Sequence, residues 1–235
     1  MSSDQRDLML RGGAKVWNRW RQANSPDMTF SRPHWYDCPN RNGLQVKGRN
    51  RLNFSKLNLS GARVYDAFAE GLNLSGAILE NVYFDGGDFS RASFAGATIR
   101  DSKFNKTIFT DASFNEATIV NCNLNRVNLV RADFTVSEIS ETVVYGISAW
   151  DLTLGEQSKQ SKLIIEPTHE LYSELVARGT LPSMVDDIEL AQFIYFLSGH
   201  KRLRDAINIL NDKAILLLGR FADGGIAVSM KSRID

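Results

Sequence analysis

The side chains with the most obvious reactive potential in this sequence are few and scattered. His34 and Cys38, with Asp37 between them, could donate to a metal, but no second pair follows at finger spacing and two ligands do not complete a tetrahedral site. Gly219 and Gly224 have the spacing of a phosphate-cradling loop, yet Gly225 and Ile226 stand where a lysine and a hydroxyl would have to reach phosphate and magnesium. His169 and His200 fall at predicted helix boundaries, where imidazoles serve as solvated or capping groups, and no nucleophile elbow accompanies them. These residues form no catalytic set. No enzyme activity, cofactor or metal is expected.

The elements that would have to carry any function follow a different rule, a five-residue repeat from about Leu52 to Ala149. Every fifth position from Phe54 onward is apolar. One column reads Phe54, Leu74, Phe94, Phe114, Phe134, the next Leu59, Leu79, Ile99, Ile119, Ile139, and the remaining two include Phe84, Phe104, Leu124 and Phe89, Phe109, Leu129. Two residues before each sits a small side chain in most repeats, among them Ala92, Ala97, Ala112, Ala117, Cys122 and Ala132. Neither a helix of period 3.6 nor a strand of period 2 holds a five-residue spacing on one face. A coil that turns a corner every five residues does, and four corners make a twenty-residue turn.

The predicted fold is therefore mainly β: a right-handed quadrilateral β-helix, a solenoid with an N-terminal helical cap and a C-terminal α-helical extension. Its five turns, stacked roughly 4.8 Å apart, make a rod about 24 Å long. Burying each large rung contributes roughly 1.5–3 kcal/mol, which offsets the ordering entropy of a thin rod. The small column leaves no space for growth, so Ala112→Leu is expected to overpack the interior and lower the melting temperature, by about 1–3 kcal/mol of stability.

At this point the residues resemble a known family. Ala132, Asp133 and Phe134, and more loosely Leu72, Asn73 and Leu74, are similar to the repeat of bacterial-type pentapeptide-repeat proteins over about a hundred residues. The pattern departs at Phe68 and Ile78, where an apolar residue fills a usually polar slot; both are expected to point outward, into a partner or beneath a flanking segment.

Three segments are expected: a cap over 1–50, the solenoid over 51–150 and a mainly helical extension with one short strand over 151–235. In the cap, Lys15 to Gln22 reads as a short helix with Trp17 and Trp20 on one side, and resembles the Trp-Asn-x-Trp-Arg lead-in of that family. Beyond Trp150, Leu163 to Ile165 reads as a strand, and helices are predicted over 169–178, 185–197 and 201–210. Lys213 to Gly219 reads as a buried strand opening an α/β unit, and this half resembles the connector to a truncated TIR-like domain.

The charge is balanced overall but not locally. Residues 1–50 carry nine basic and four acidic side chains, the repeat nine and eleven, and the remainder ten and twelve. Two cysteines, Cys38 and Cys122, make no disulfide framework and are expected to be reduced. Without a long apolar run, the expected location is cytoplasmic and no membrane is involved.

The fold implies binding rather than chemistry. A non-catalytic protein-interaction scaffold with an unidentified protein partner is the leading expectation, with a homodimer through the C-terminal extension as one arrangement. The resemblance also implies a DNA-mimicking modulator of a type II topoisomerase, as in quinolone-resistance members, but a repeat with nine bases against eleven acids lacks the strong negative field this needs. Nucleic acid is not the expected partner either. A remnant of a nucleotide-sensing or TIR-like protein is the third alternative, carried by residues 213–219 alone. In the repeat, Arg91, Asp111 and Arg131 are spaced to form an alternating ion-pair ladder.

Overall fold

The computed structural model describes residues 12–23, 29–31, 53–165 and 184–199. Its centre is a mainly β solenoid of about five turns, with a helix near each terminus. Each turn presents four parallel pairing positions five residues apart. The first ladder joins Asn53, Asn73, Ser93, Ser113, Asp133 and Thr153 by single bridges. In the second, β3 (Ile78–Glu80), β5 (Thr98–Arg100), β7 (Thr118–Val120), β8 (Glu138–Ser140) and β9 (Lys159–Ser161) form one sheet. The third runs through β1 (Thr29–Ser31), β2 (Arg63–Tyr65), β4 (Tyr83–Asp85) and β6 (Lys103–Asn105), then through bridges at Asn123 and Val143 to Ile164. The fourth joins Phe68, Asp88, Ile108, Asn128 and Ser148.

The local chemistry explains the repeat. At each corner the second residue after a rung adopts positive φ, an unbroken series from Lys56 to Asp151 in which Gly61, Gly71, Gly76, Gly86, Gly96 and Gly146 are the glycines. The turn closes when an amide donates back to the rung carbonyl, as from Ala97 to Phe94 at 2.9 Å. Asn or Asp just before the rung adds an Asx cap: Ser75 N–H donates to Asn73 Oδ1 at 3.0 Å and Thr135 N–H to Asp133 Oδ1 at 2.9 Å. Coils then bond to coils, with Ser93 N–H donating to the Leu72 carbonyl and Phe94 N–H to that of Ser113.

One corner conflicts with this rule. Val136 holds φ of 60° although it is β-branched, whereas corners of the next column carry Asn81 and Asn121. Asparagine tolerates the left-handed region and valine does not. Val136→Asn is expected to gain about 1 kcal/mol, read as a rise of roughly 2–4 °C in Tm by differential scanning calorimetry.

Inside, the rungs stack ring on ring. Phe94 and Phe114 lie 4.9 Å apart with planes 9° from parallel, Phe114 and Phe134 5.0 Å apart at 5°. Phe84, Phe89, Phe104 and Phe109 cross them or one another at steeper angles or stack beside them. Polar members of the small column keep their hydroxyls bonded to backbone: Ser102 Oγ donates to the Arg100 carbonyl at 2.6 Å, and Ser137 Oγ to that of Phe134 at 2.7 Å.

Both ends of the rod are closed. Helix α1 (Gly13–Ala23) lies under the first coil with Trp17 fully buried, its indole N–H donating to the Asn58 carbonyl at 2.7 Å. Asn18 stands in for a missing strand: its amide donates to the Lys56 carbonyl at 2.9 Å and accepts from Asn58 N–H at 2.8 Å. At the far end, α2 (Ile188–Gly199) follows β11 (Met184–Val185), which pairs antiparallel with β10 (Leu163–Ile164). Gln160 Oε1 accepts from Ile188 N–H at 2.8 Å, and the Gln192 side chain accepts from Ala149 N–H.

Two features differ from the sequence reading. The coil continues past residue 150, because Thr153 still pairs twenty residues above Asp133 while Lys159 pairs twenty-one above Glu138. One inserted residue breaks the count but not the ladder. Helix α2 starts at Ile188 rather than Val185, because Asp187 caps it by accepting from Leu190 N–H at 2.7 Å and Val185 is drawn into β11. The strand read over Leu163 to Ile165 is present as β10, and β9 precedes it. The helices over 169–178 and 201–210 and the strand over 213–219 lie outside the described residues.

Candidate functional site

Because rungs and small residues fill the interior, every other side chain of a turn stands on one of the four outer ladders. All sixteen large rung residues from Phe54 to Ile139 named above are buried, as are Ala92, Ala97, Ala112, Ala117, Cys122 and Ala132. Phe68 on the fourth ladder is 43% exposed and Ile78 on the second 38%. His34, Cys38, His169, His200 and the 219–226 loop lie outside the described residues.

Burial pushes the Cys122 thiol up to about 11, with the nearby Asp101 charge adding to the rise. The thiolate is thus scarce at neutral pH and the sulfur is shielded. In a Cys38→Ser background, iodoacetamide at pH 8 is expected to leave Cys122 unlabelled until denaturant opens the rod, as read by intact mass.

The ladders differ in character. The first carries short polar residues. On the fourth, Arg131 holds Asp111 through Nε at 2.7 Å and Nη2 at 2.9 Å, and this contact keeps the Asp111 carboxyl below its usual range and the Arg131 guanidinium above its own. The alternating series expected from Arg91 through Asp111 to Arg131 needs correction, because Arg91 pairs with Glu70 instead. Both arginines lean toward the preceding coil. Below Arg131 the corner is Asp111, but below Arg91 it is Gly71, so the neighbouring Glu70 takes the charge.

The third ladder is the basic and aromatic one. It carries Arg63, Lys103, Lys106 and Arg126 against Asp66 and Asp85, four bases to two acids, and all three tyrosines of residues 53–165: Tyr65, Tyr83 and Tyr145. On the other ladders of 53–149 acids outnumber bases: two to one on the first, with Lys56 the base; four to one on the second, with Arg100; three to two on the fourth, with Arg91 and Arg131. A shallow groove of about 250 Å³ opens among Asp85, Asn105, Lys106, Asn125, Arg126 and Tyr145. Tyr83 Oη donates to Asp85 at 3.2 Å, and Asn125 Oδ1 accepts from Tyr145 N–H at 3.3 Å. Sequence reasoning missed this cluster, since residues twenty apart become neighbours only once four corners per turn are assumed.

A second groove, of about 430 Å³, lies at the boundary of the first and second ladders beside Glu116, Glu138, Glu156 and Lys159. Among the described residues no three His, Cys, Asp or Glu side chains are grouped to hold a metal ion, and no helix is long and apolar enough to cross a membrane.

A family model described as "Pentapeptide repeats" matches in eight copies over residues 53–91, 73–111 and 107–142. No curated protein matches the chain. Among solved structures, a pentapeptide repeat protein of the Arabidopsis thaliana thylakoid lumen is 14% identical, covering 54% of this chain and 88% of its own, with a TM-score of 0.33. QnrB1, a plasmid-mediated fluoroquinolone resistance protein, is 22% identical in one trypsin-treated form, covering 47% of this chain and 61% of its own, with a TM-score of 0.29. HetL, involved in heterocyst differentiation regulation in Nostoc sp. strain PCC 7120, is 16% identical, covering 44% and 62%, with a TM-score of 0.18.

Proposed function

We propose that this chain is a non-catalytic scaffold whose outer ladders bind another protein, a reading supported by the match of residues 53–142 to the pentapeptide-repeat model. The observation that supports this reading is the sorting of side chains. The interior is apolar and closed, and the charged and aromatic groups stand outside in rigid columns one coil apart. Such a surface fixes many contact groups at little further cost in ordering entropy, which favours recognition of a flat or extended partner. We further take the rod to be right-handed and four-sided. Four pairing positions per turn support the square section, and the right-handed preference of parallel crossovers supports the winding. A cytoplasmic setting fits the buried reduced thiol of Cys122.

The test is reconstitution. Proteins captured on the immobilised full chain are purified singly and titrated back by calorimetry, with sedimentation reporting any homodimer. A saturable complex of defined stoichiometry is expected. Turnover of NAD or ATP by the purified chain, with no reconstituted complex, would overturn the scaffold reading.

A further inference from the structure

We propose that the third ladder is the docking surface, and that it takes an acidic, extended protein segment whose carboxylates seat between Lys106 and Arg126. This inference rests on the scaffold reading and names the surface and the chemistry of its partner. The argument begins with charge. The repeat as a whole is slightly acidic, but its bases are gathered on this side, four against two acids.

Pairing sharpens the contrast. On the fourth ladder Arg91 and Arg131 are both engaged by carboxylates of the same rod. Among the described residues Lys106 and Arg126 have no such partner, although both are exposed and one coil apart. Their corners are bracketed by Gly86, over which the Asp66 carboxylate leans, and Gly146, against which the Arg126 stem and the Tyr195 ring pack. The amides of Asn105 and Asn125 line the shallow groove and add neutral hydrogen-bonding groups suited to a peptide backbone. Lysine and arginine stems are long enough to meet carboxylates on alternate residues of an extended chain, roughly 7 Å apart. Tyr145 closes one end of the groove, held by a T-shaped contact with Tyr195 of α2 at 4.9 Å.

A carboxylate-bearing segment fits better than a nucleic acid. An excess of two positive charges is small for a phosphate backbone, whose affinity grows with the number of phosphates neutralised. Tyr65 and Tyr83 pack on each other with centroids 5.6 Å apart rather than splaying apart to stack bases.

The experiment uses the full chain labelled with ¹⁵N and two probes, blocked hexaglutamate and hexathymidylate. Hexaglutamate is expected to shift the amides of Asn105, Lys106, Asn125 and Arg126. Its affinity is expected to fall at least about tenfold in K106E/R126E, and to weaken in high salt as exposed charge pairs do. Both substituted side chains are exposed, so the variant is expected to keep the parent melting temperature, which is measured alongside. No binding at millimolar peptide, shifts confined to another ladder, an affinity unchanged in K106E/R126E, or tighter binding of hexathymidylate than of the peptide would each overturn the assignment. If the reconstituted partner complex forms equally well with K106E/R126E, this surface is wrong and the scaffold reading stands. If no complex forms at all, the scaffold reading itself fails.

Discussion

Phe114→Ala is expected to destabilise the chain by about 3–5 kcal/mol, the largest effect of any single truncation in the rod. Phe114 is buried in the fourth coil between two near-parallel rings, Phe94 at 4.9 Å and Phe134 at 5.0 Å, with Phe109 edge-on at 5.3 Å. Removing it leaves a ring-sized void that neighbours cannot fill, because the coils are tied to each other by backbone bonds such as Phe114 N–H to the Asp133 carbonyl. A solenoid is held by nearest-neighbour contacts, so a gap in this coil uncouples the coils on either side of it. The measurement is chemical denaturation, where a lower midpoint with a broadened transition is expected. Phe114→Leu serves as the control: Leu74 occupies the same column, so the smaller rung should cost far less than alanine. Equal losses for the two variants would contradict ring stacking as the source of stability.

Trp17→Ala is expected to cost a similar 3–5 kcal/mol, but in one place. Trp17 is fully buried although it lies on a helix outside the repeat, and it leans on Trp20 with centroids 5.4 Å apart. Its loss exposes Leu57 and Leu59 from below and leaves the Asn58 carbonyl without its indole donor. Hydrogen exchange by mass spectrometry should therefore show faster exchange over residues 53–62, with little change beyond residue 113. Trp17→Phe keeps most of the packing and loses the hydrogen bond, so it should cost about 1 kcal/mol. Uniform loss of protection along the rod in Trp17→Ala would mean that α1 is not a local cap.

The rod was legible in the sequence because its closed interior selects apolar rungs from Phe54 to Ala149, and a rung such as Ile99 or Phe134 repeats its type whatever its neighbours do. What stays hidden follows from local exceptions. Gln160 occupies the inward column above Ile139, so a search for apolar rungs ends too early, and its polarity makes sense only with Ile188 N–H over it. The tryptophan of α1 announces a cap, but the strand-like pairing of Asn18 with Lys56 and Asn58 depends on how the helix lies. The basic groove is hidden for a third reason. Lys106 and Arg126 are separated by twenty residues, and regional charge counts average them with the acids of three other ladders. Arg91 likewise reads as a partner of Asp111 until Gly71 is seen below it.

The account stands on twenty residues advancing the chain by one coil along a straight rod. The first ladder links Asn53 to Thr153 through five successive bridges, so two residues a hundred positions apart should lie about 24 Å from each other. Spin labels at Asn53→Cys and Thr153→Cys, in a Cys38→Ser chain whose Cys122 is buried, measure that distance by double electron–electron resonance. A single narrow distribution centred near 24 Å, allowing for the label arms, is the expected result. A broad distribution, or a narrow one far from that length, would contradict the stacked coil.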